Sequence, residues 1–286
     1  MEAKNFKAKG FKLIFVSKEG KVTNKKSRLD ELYEACNELI ELVKKMLETC
    51  CLKKEKVKSY SRIIVSFYFR RSWEMLESFI ILIKADRLVD AALLLRSLCD
   101  MAINLGYMTA DSNRKKIRAM RLMLKGNKAQ LTLINTNLKE FKELDSNIEA
   151  RRDKLKENLE KIEADWKKEY QEENWKLPCI DQRARKAGEV VFNYYNLVYR
   201  PYSNIEHHNI FFGQDYVDKE KCEPIEELEK FTKSPVFLPD ITLYMFKGLF
   251  LVILSKFNEE FQLKWGDVIK KKLEKHKEEY NKLYKK

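Results

Sequence analysis

Ala91-Ala92-Leu93-Leu94-Leu95-Arg96-Ser97-Leu98-Cys99-Asp100 is the stretch that decides the fold. A helix that is apolar nearly all round has to be covered by neighbours on every side, so this one belongs at the centre of a helical bundle. Inside it sits Arg96, with Asp100 one turn later. A charged group in such a helix is costly unless it is paired, and Asp100 at i+4 or Glu77 on the preceding helix is the expected partner. The functional alternative has Arg96 turned toward a cleft, where it contacts a substrate phosphate.

Working outward, Asp86 opens this third helix, which the pattern carries from about Arg87 to Thr109. A second, aromatic-rich helix precedes it from about Glu55 to Lys84. The connection between them is short, which predicts an antiparallel pair. Further upstream, Ser27 reads as an N-cap. Leu29, Leu32, Cys36, Leu39, Ile40, Val43 and Met46 then recur at the spacing of an amphipathic helix. Residues 1–25, with Phe11 to Val16 and a turn at Gly20, read as an arm or a short β-hairpin.

Downstream, the character changes over residues 112–172. Leu122, Leu124, Leu131, Ile134, Leu138, Phe141, Leu144, Ile148, Leu155, Leu159 and Ile162 recur among dense Lys and Glu. That pattern predicts two long helices in an antiparallel hairpin turning near Asp145-Ser146. Such a hairpin serves either as an arm for a protein partner or as a solvated pair packed on its own domain. Asn174 to Pro178 breaks the pattern. A helix of about Ile180 to Tyr199 follows, then a loop with Gly213, Pro224, Pro235 and Pro239. An apolar helix from about Asp240 to Phe261 completes the core, and a basic surface helix runs from Trp265 to Lys286.

Eight Gly and five Pro in 286 residues leave few punctuators for the tight turns of a sandwich or barrel. The expected class is all-α: a multi-helix bundle with a long charged helical hairpin and an N-terminal arm or β-hairpin. Its parts are an arm over 1–25, a core from 26–111 with 173–262, the hairpin 112–172, and a C-terminal helix 263–286.

Fifty-seven Lys plus Arg against 44 Asp plus Glu give a formal net charge of +13. This favours polyanionic partners such as RNA, and it is also what Lys-rich solvated helix faces produce. Cys36, Cys50, Cys51, Cys99, Cys179 and Cys222 show neither CxxC pairs nor companion histidines at metal-ligand spacing, so they read as free thiols. With no signal peptide at Met1-Glu2-Ala3-Lys4, the expected compartment is the cytoplasm. The most membrane-like run, Ile241 to Leu254, is short for a span and carries Lys247. No metal and no cofactor is expected. The chain has no P-loop, GxGxxG or GxSxG to support nucleotide hydrolysis or serine esterase chemistry.

The segment Tyr199-Arg200-Pro201-Tyr202-Ser203-Asn204-Ile205-Glu206-His207-His208 holds two of the three histidines. Proline disfavours the α region for the residue before it and suits the first position of a helix, so a kink at Arg200 and a restart at Pro201 are expected. On that helix Ser203 and His207 share a face, with Asn204 and His208 on the next ridge. A guanidinium, a hydroxyl and an imidazole at a helix start form a phosphate site able to cleave RNA without metal. In that chemistry a histidine assists attack by the 2′-OH or protonates the leaving oxygen, and Arg200 stabilises the developing charge. The competing reading is a helix junction in which the same groups satisfy buried polar contacts.

Ala92 to Asp100, followed about a hundred residues later by Tyr199-Arg200-Pro201-Tyr202-Ser203 and His207, resembles an uncharacterised bacterial helical family. That family is marked by an LLRSLxE helix and a later YRxLSxxxH segment. The resemblance covers about residues 55 to 212 and takes in Trp175 and Ala184 to Gly188. Asp100 stands where the family more often has Glu, and Tyr202 where it has Leu. The Arg200-to-His207 spacing also resembles the R-x(4–6)-H signature of HEPN ribonucleases, helical proteins that often act as dimers in toxin–antitoxin and phage-defence systems. Those enzymes usually carry a polar residue directly after the arginine, where this chain has Pro201. The HEPN resemblance implies Arg200 and His207 as a catalytic pair, with Asp100 or Glu77 orienting the arginine. It also implies RNA as substrate and a homodimer as the working form. The expected function is therefore a HEPN-like endoribonuclease with Arg200, His207 and Ser203 catalytic and Arg96, Asp100, Asn204 and His208 binding or orienting. The alternative is a non-enzymatic sensor or scaffold that engages a partner through the 112–172 hairpin.

Overall fold

The computed structural model describes residues 28–52, 59–85, 87–140, 146–170, 175–201, 203, 217–218, 223–224 and 239–284. Within them the chain is an all-α bundle. In order come α1 (Arg28–Leu52), α2 (Tyr60–Lys84), α3 (Leu88–Thr109), α4 (Lys115–Glu140), α5 (Ser146–Glu169), α6 (Ile180–Lys186) and α7 (Glu189–Tyr194). A π-helical turn (Tyr195–Tyr199) follows, then α8 (Pro239–Phe261) and α9 (Gly266–Tyr284). Two-residue strands, Val217–Asp218 and Glu223–Pro224, pair antiparallel. The proposed N-terminal β-hairpin over 1–25 lies outside the described residues.

α3 is the central element, as its all-round apolar pattern requires. Leu95, Leu98, Cys99, Ala102, Ile103 and Leu105 are fully buried, and α3 packs against α2, α8, α4, α6 and the π turn. Ring pairs tie α2 to α8: Phe69 stacks on Phe257 at 3.8 Å between centres, and Phe79 meets Phe246 at 4.1 Å with the rings tilted by 31°. Local sequence sets the ends. The Ser59 hydroxyl caps α2 by accepting from the Arg62 N–H at 3.3 Å. α8 ends with Gln262 in the left-handed region at φ 49°. There Leu263 N–H bonds Asn258 O at 3.0 Å and Gln262 N–H bonds Glu259 O, the paired bonds of a Schellman stop.

α4 and α5 form the predicted hairpin, and its base is docked on the core. Ala119 and Leu122 join the main core, while Ile117, Met120, Leu124, Ile162 and Trp166 form a second cluster between the two helices. Tyr60 donates to Asp165 Oδ2 at 2.5 Å and Lys115 pairs with Glu260, so both α2 and α8 grip the hairpin.

α9 is more than a surface helix. Ile269 and His276 are buried. His276 stacks on Tyr244 at 3.9 Å between ring centres and shares a 3.0 Å hydrogen bond with Tyr194 Oη through Nε2. Gly248 leaves the room for this: a Cβ there would collide with both Tyr194 Oη and His276 Nε2. Lys247, the charge inside the apolar α8, is only 7% exposed and pairs with Glu279 of α9 at 2.8 Å. No described helix is long and apolar enough to cross a membrane.

Candidate functional site

Arg96, Asp100 and Asn104 follow each other at intervals of four on α3, which places them on one ridge. α6, α7 and the π turn pack against this helix. The approach is close because α3 carries Gly106, where a Cβ would come within 2.6 Å of the Ala187 Cβ. Gly188 then takes φ +103°, a backbone state that glycine adopts without strain, and separates α6 from α7. The single helix expected over 180–199 is thus broken in two. Both pieces pack against α3.

A buried polar relay crosses the interface. Arg183, 6% exposed, donates from Nη1 to Asn104 Oδ1, and Asn104 Nδ2 donates to Tyr68 Oη at 3.1 Å. Burial pushes the Tyr68 phenol up to about 12, and the Asp100 carboxylate adds to the rise, while Asn104 and Arg183 pull the other way. The relay joins α6, α3 and α2 through three side chains. Arg183 Nε is buried without a hydrogen-bond partner among the described residues, and the bonds that are made fix how the three helices pack.

Beside the relay runs a ladder of rings and guanidinium groups. The Arg185 guanidinium lies 4.5 Å over the Phe192 ring. Phe192 stacks on Tyr195 at 5.9 Å, and Tyr195 on Tyr199 at 5.5 Å. Arg96 closes the far end, 4.8 Å over Tyr199 and with Nη2 donating to its hydroxyl at 3.2 Å. Asp181 holds Arg185 at 2.9 Å. Burial, then Asp181, pushes the Tyr195 phenol up, and Arg200 opposes that rise. Arg96 therefore meets Tyr199 across 103 residues of sequence, while Glu77, one of its expected partners, accepts from Trp73 Nε1.

The π turn delivers Arg200. Its N–H bonds Tyr195 O, five residues back, and Arg200 itself is helical at φ −63°, ψ −51°. The predicted kink at Arg200 is absent, and Pro201 and Ser203 continue in helical geometry. Widening the turn ahead of proline relieves the clash between the ring and the carbonyl four residues back, so helical geometry carries through Arg200 to Pro201. Arg200 is exposed and Ser203 half-buried. Asn204, His207 and His208 lie outside the described residues. The structure thus brings Arg96 against Tyr199, the residue before Arg200.

Chemically, this region offers an exposed cation, Arg200, and a second one, Arg96, held on the Tyr199 phenol. The Tyr68 and Tyr195 phenols and the buried Cys99 thiol are all pushed up by burial. None of the three is poised to exchange a proton near neutral pH. Among the described residues no group of three His, Cys, Asp or Glu side chains could hold a metal ion. Tyr68, Asn104, Arg183, Phe192 and Tyr195 were not singled out in the sequence. Only the four-residue interval from Arg96 to Asn104 signalled any of them.

No match to the chain was found among curated proteins or among solved structures. A family model does match over residues 62–224, which spans α2 through the π turn and on to the short strand pair. That span takes in the relay, the ladder and the Arg200 segment, and it is more than half of the sequence. It carries no HEPN assignment, and the chain belongs to the family of unknown function DUF5677.

Proposed function

We propose that this protein is a HEPN-like, metal-independent endoribonuclease whose substrate phosphate meets Arg200 and Arg96. The observation that supports the reading best is the Tyr199–Arg200 step. Tyr199 holds the Arg96 guanidinium at 3.2 Å, and the next residue presents an exposed arginine. Two guanidinium groups near one phosphodiester stabilise the charge that builds up as the 2′-oxygen attacks phosphorus. His207, seven residues beyond Arg200, supplies the proton transfer: it takes the 2′-OH proton or gives one to the departing 5′-oxygen. Ser203, three residues after Arg200 in helical geometry, orients the phosphate. A bacterial toxin or phage-defence role, with a homodimer as the working form, follows from the same resemblance.

A single assay tests the reading. Purified protein is incubated with single-stranded RNA in EDTA, and wild type is compared with Arg200→Ala and His207→Ala. Cleavage by wild type should fall at least a hundred-fold in each variant. Equal cleavage by all three proteins sinks the proposal.

One observation favours a second reading, a non-enzymatic scaffold. Arg96 is already hydrogen-bonded to Tyr199, and Arg183 is sealed in the relay, as expected of a structural junction. In that case Arg200→Ala and His207→Ala each lower the melting temperature by many degrees and no cleavage is seen.

A further inference from the structure

The start of α2 and the hairpin of α4 and α5 border a cleft of about 940 Å³, the size of a ligand site rather than of a packing defect. Its middle is apolar. Ile162 of α5 is buried, Met123 of α4 is half-buried, and Ile63 of α2 stands 40% exposed on the wall. A ligand that covers Ile63 removes apolar surface from water.

The two ends of the cleft differ in what they leave unused. Near the start of α2, Lys115 pairs with Glu260, Lys116 with Glu169, and the Tyr60 hydroxyl with Asp165, so the charges there are already answered within the protein. At the other end stand Asn127 of α4 with Asn158 and Lys161 of α5. None of these three side chains makes a hydrogen bond or an ion pair among the described residues. Two pairs across the hairpin bring them together. Lys128 with Glu163 at 2.7 Å and Lys116 with Glu169 at 2.5 Å set the antiparallel register, which puts Asn127 level with the turn Asn158–Lys161.

We infer that this cleft binds the C-terminal end of a partner polypeptide, with its α-carboxylate on Asn127, Asn158 and Lys161 and an apolar side chain on Met123 and Ile162. An ammonium and two carboxamide N–H groups are donors suited to a carboxylate, and the carboxamide oxygens accept from the peptide N–H groups behind it. Met123 lies one turn of α4, about 6 Å, from Asn127, and an extended chain advances about 3.3 Å per residue. The apolar side chain therefore sits about two residues before the terminus, against a methionine that adapts to several shapes. A nucleotide fits less well, because Tyr60 is the only ring and no arginine is present among the described residues that line the cleft. The inference stands on the cleft alone, whichever reading of the Arg200 segment holds.

The test presents the full chain with a library of fluorescein-labelled hexapeptides that carry leucine two places before the end, random residues elsewhere and a free α-carboxylate. Selected binders are measured by anisotropy, each also as its C-terminal amide. Amidation should weaken binding about ten-fold or more, as should Lys161→Ala, and Asn127→Ala should weaken it by about five-fold. Lys154→Ala removes an exposed lysine of α5 outside the cleft and should leave binding unchanged. Lys161 is exposed as well, and circular dichroism verifies that the variants are folded. The inference is overturned if no hexapeptide is selected, if the amides bind as tightly as the acids, or if Lys154→Ala weakens binding as much as Lys161→Ala. It is overturned equally if Lys161→Ala weakens binding of a 2′-O-methyl oligouridylate and leaves the peptides untouched, for the cleft would then hold nucleic acid.

Discussion

His276 offers the most direct check on how the C-terminal helix is held. Its ring is 6% exposed, stacked on Tyr244 and bonded through Nε2 to Tyr194, and Nδ1 is buried with no hydrogen-bond partner. Burial first, and the Lys247 ammonium second, lower its pKa from 6.5 to about 3. The folded state therefore keeps the imidazole neutral, whereas the unfolded chain protonates it below about 6.5. Stability attributable to this group is complete above pH 6.5 and declines as pH falls toward 3. From that difference the loss is about 2 kcal/mol at pH 5 and about 3 kcal/mol at pH 4. Urea unfolding of wild type and His276→Phe at pH 7.5 and pH 5 measures it. Phenylalanine keeps a ring against Tyr244 and cannot titrate, so wild type should lose about 2 kcal/mol more than the variant between the two pH values. Surface carboxylates such as Glu38 and Glu74, whose pKa values are lowered by their Lys and Arg partners, are common to both proteins and cancel. Parallel pH dependence in the two proteins would refute the idea that packing holds His276 neutral.

Other perturbations probe the site's framework. Gly106→Ala should destabilise by about 1–3 kcal/mol, because the new methyl meets Ala187 and outweighs alanine's better helix propensity; chemical denaturation measures it. Arg183→Ala should lower stability by about 2–3 kcal/mol by stranding the Asn104 amide oxygen, and Arg183→Lys should recover part of the loss in the same assay. Trp166→Ala removes the largest side chain of the cluster between α4 and α5. It should cost about 3–5 kcal/mol, seen as proteolysis of the hairpin before the core.

The centre of the fold was legible because Ala91 to Leu95 leave no polar side to face water, and the hairpin because its apolar period survives among the charges. Tertiary partners were not legible. Arg96 finds Tyr199 rather than Glu77, since a contact across 103 residues has no local pattern. The π turn escaped because bonding to the fifth residue back leaves no composition signature, and proline alone suggested a kink. His276 looked like one more polar residue on a basic helix; its burial depends on the missing side chain at Gly248, on another element.

The wide turn at Tyr195–Tyr199 also sets the rotational phase of everything after it. Each α-helical residue turns the chain by about 100°. If the same five residues were wound as ordinary α-helix, with none removed, Arg200 and Ser203 would swing about a quarter of the way round the axis. Deleting one residue together with the wide turn would instead leave them close to their present direction. The orientation of Arg200 is therefore set by how the turn is wound as much as by residue type.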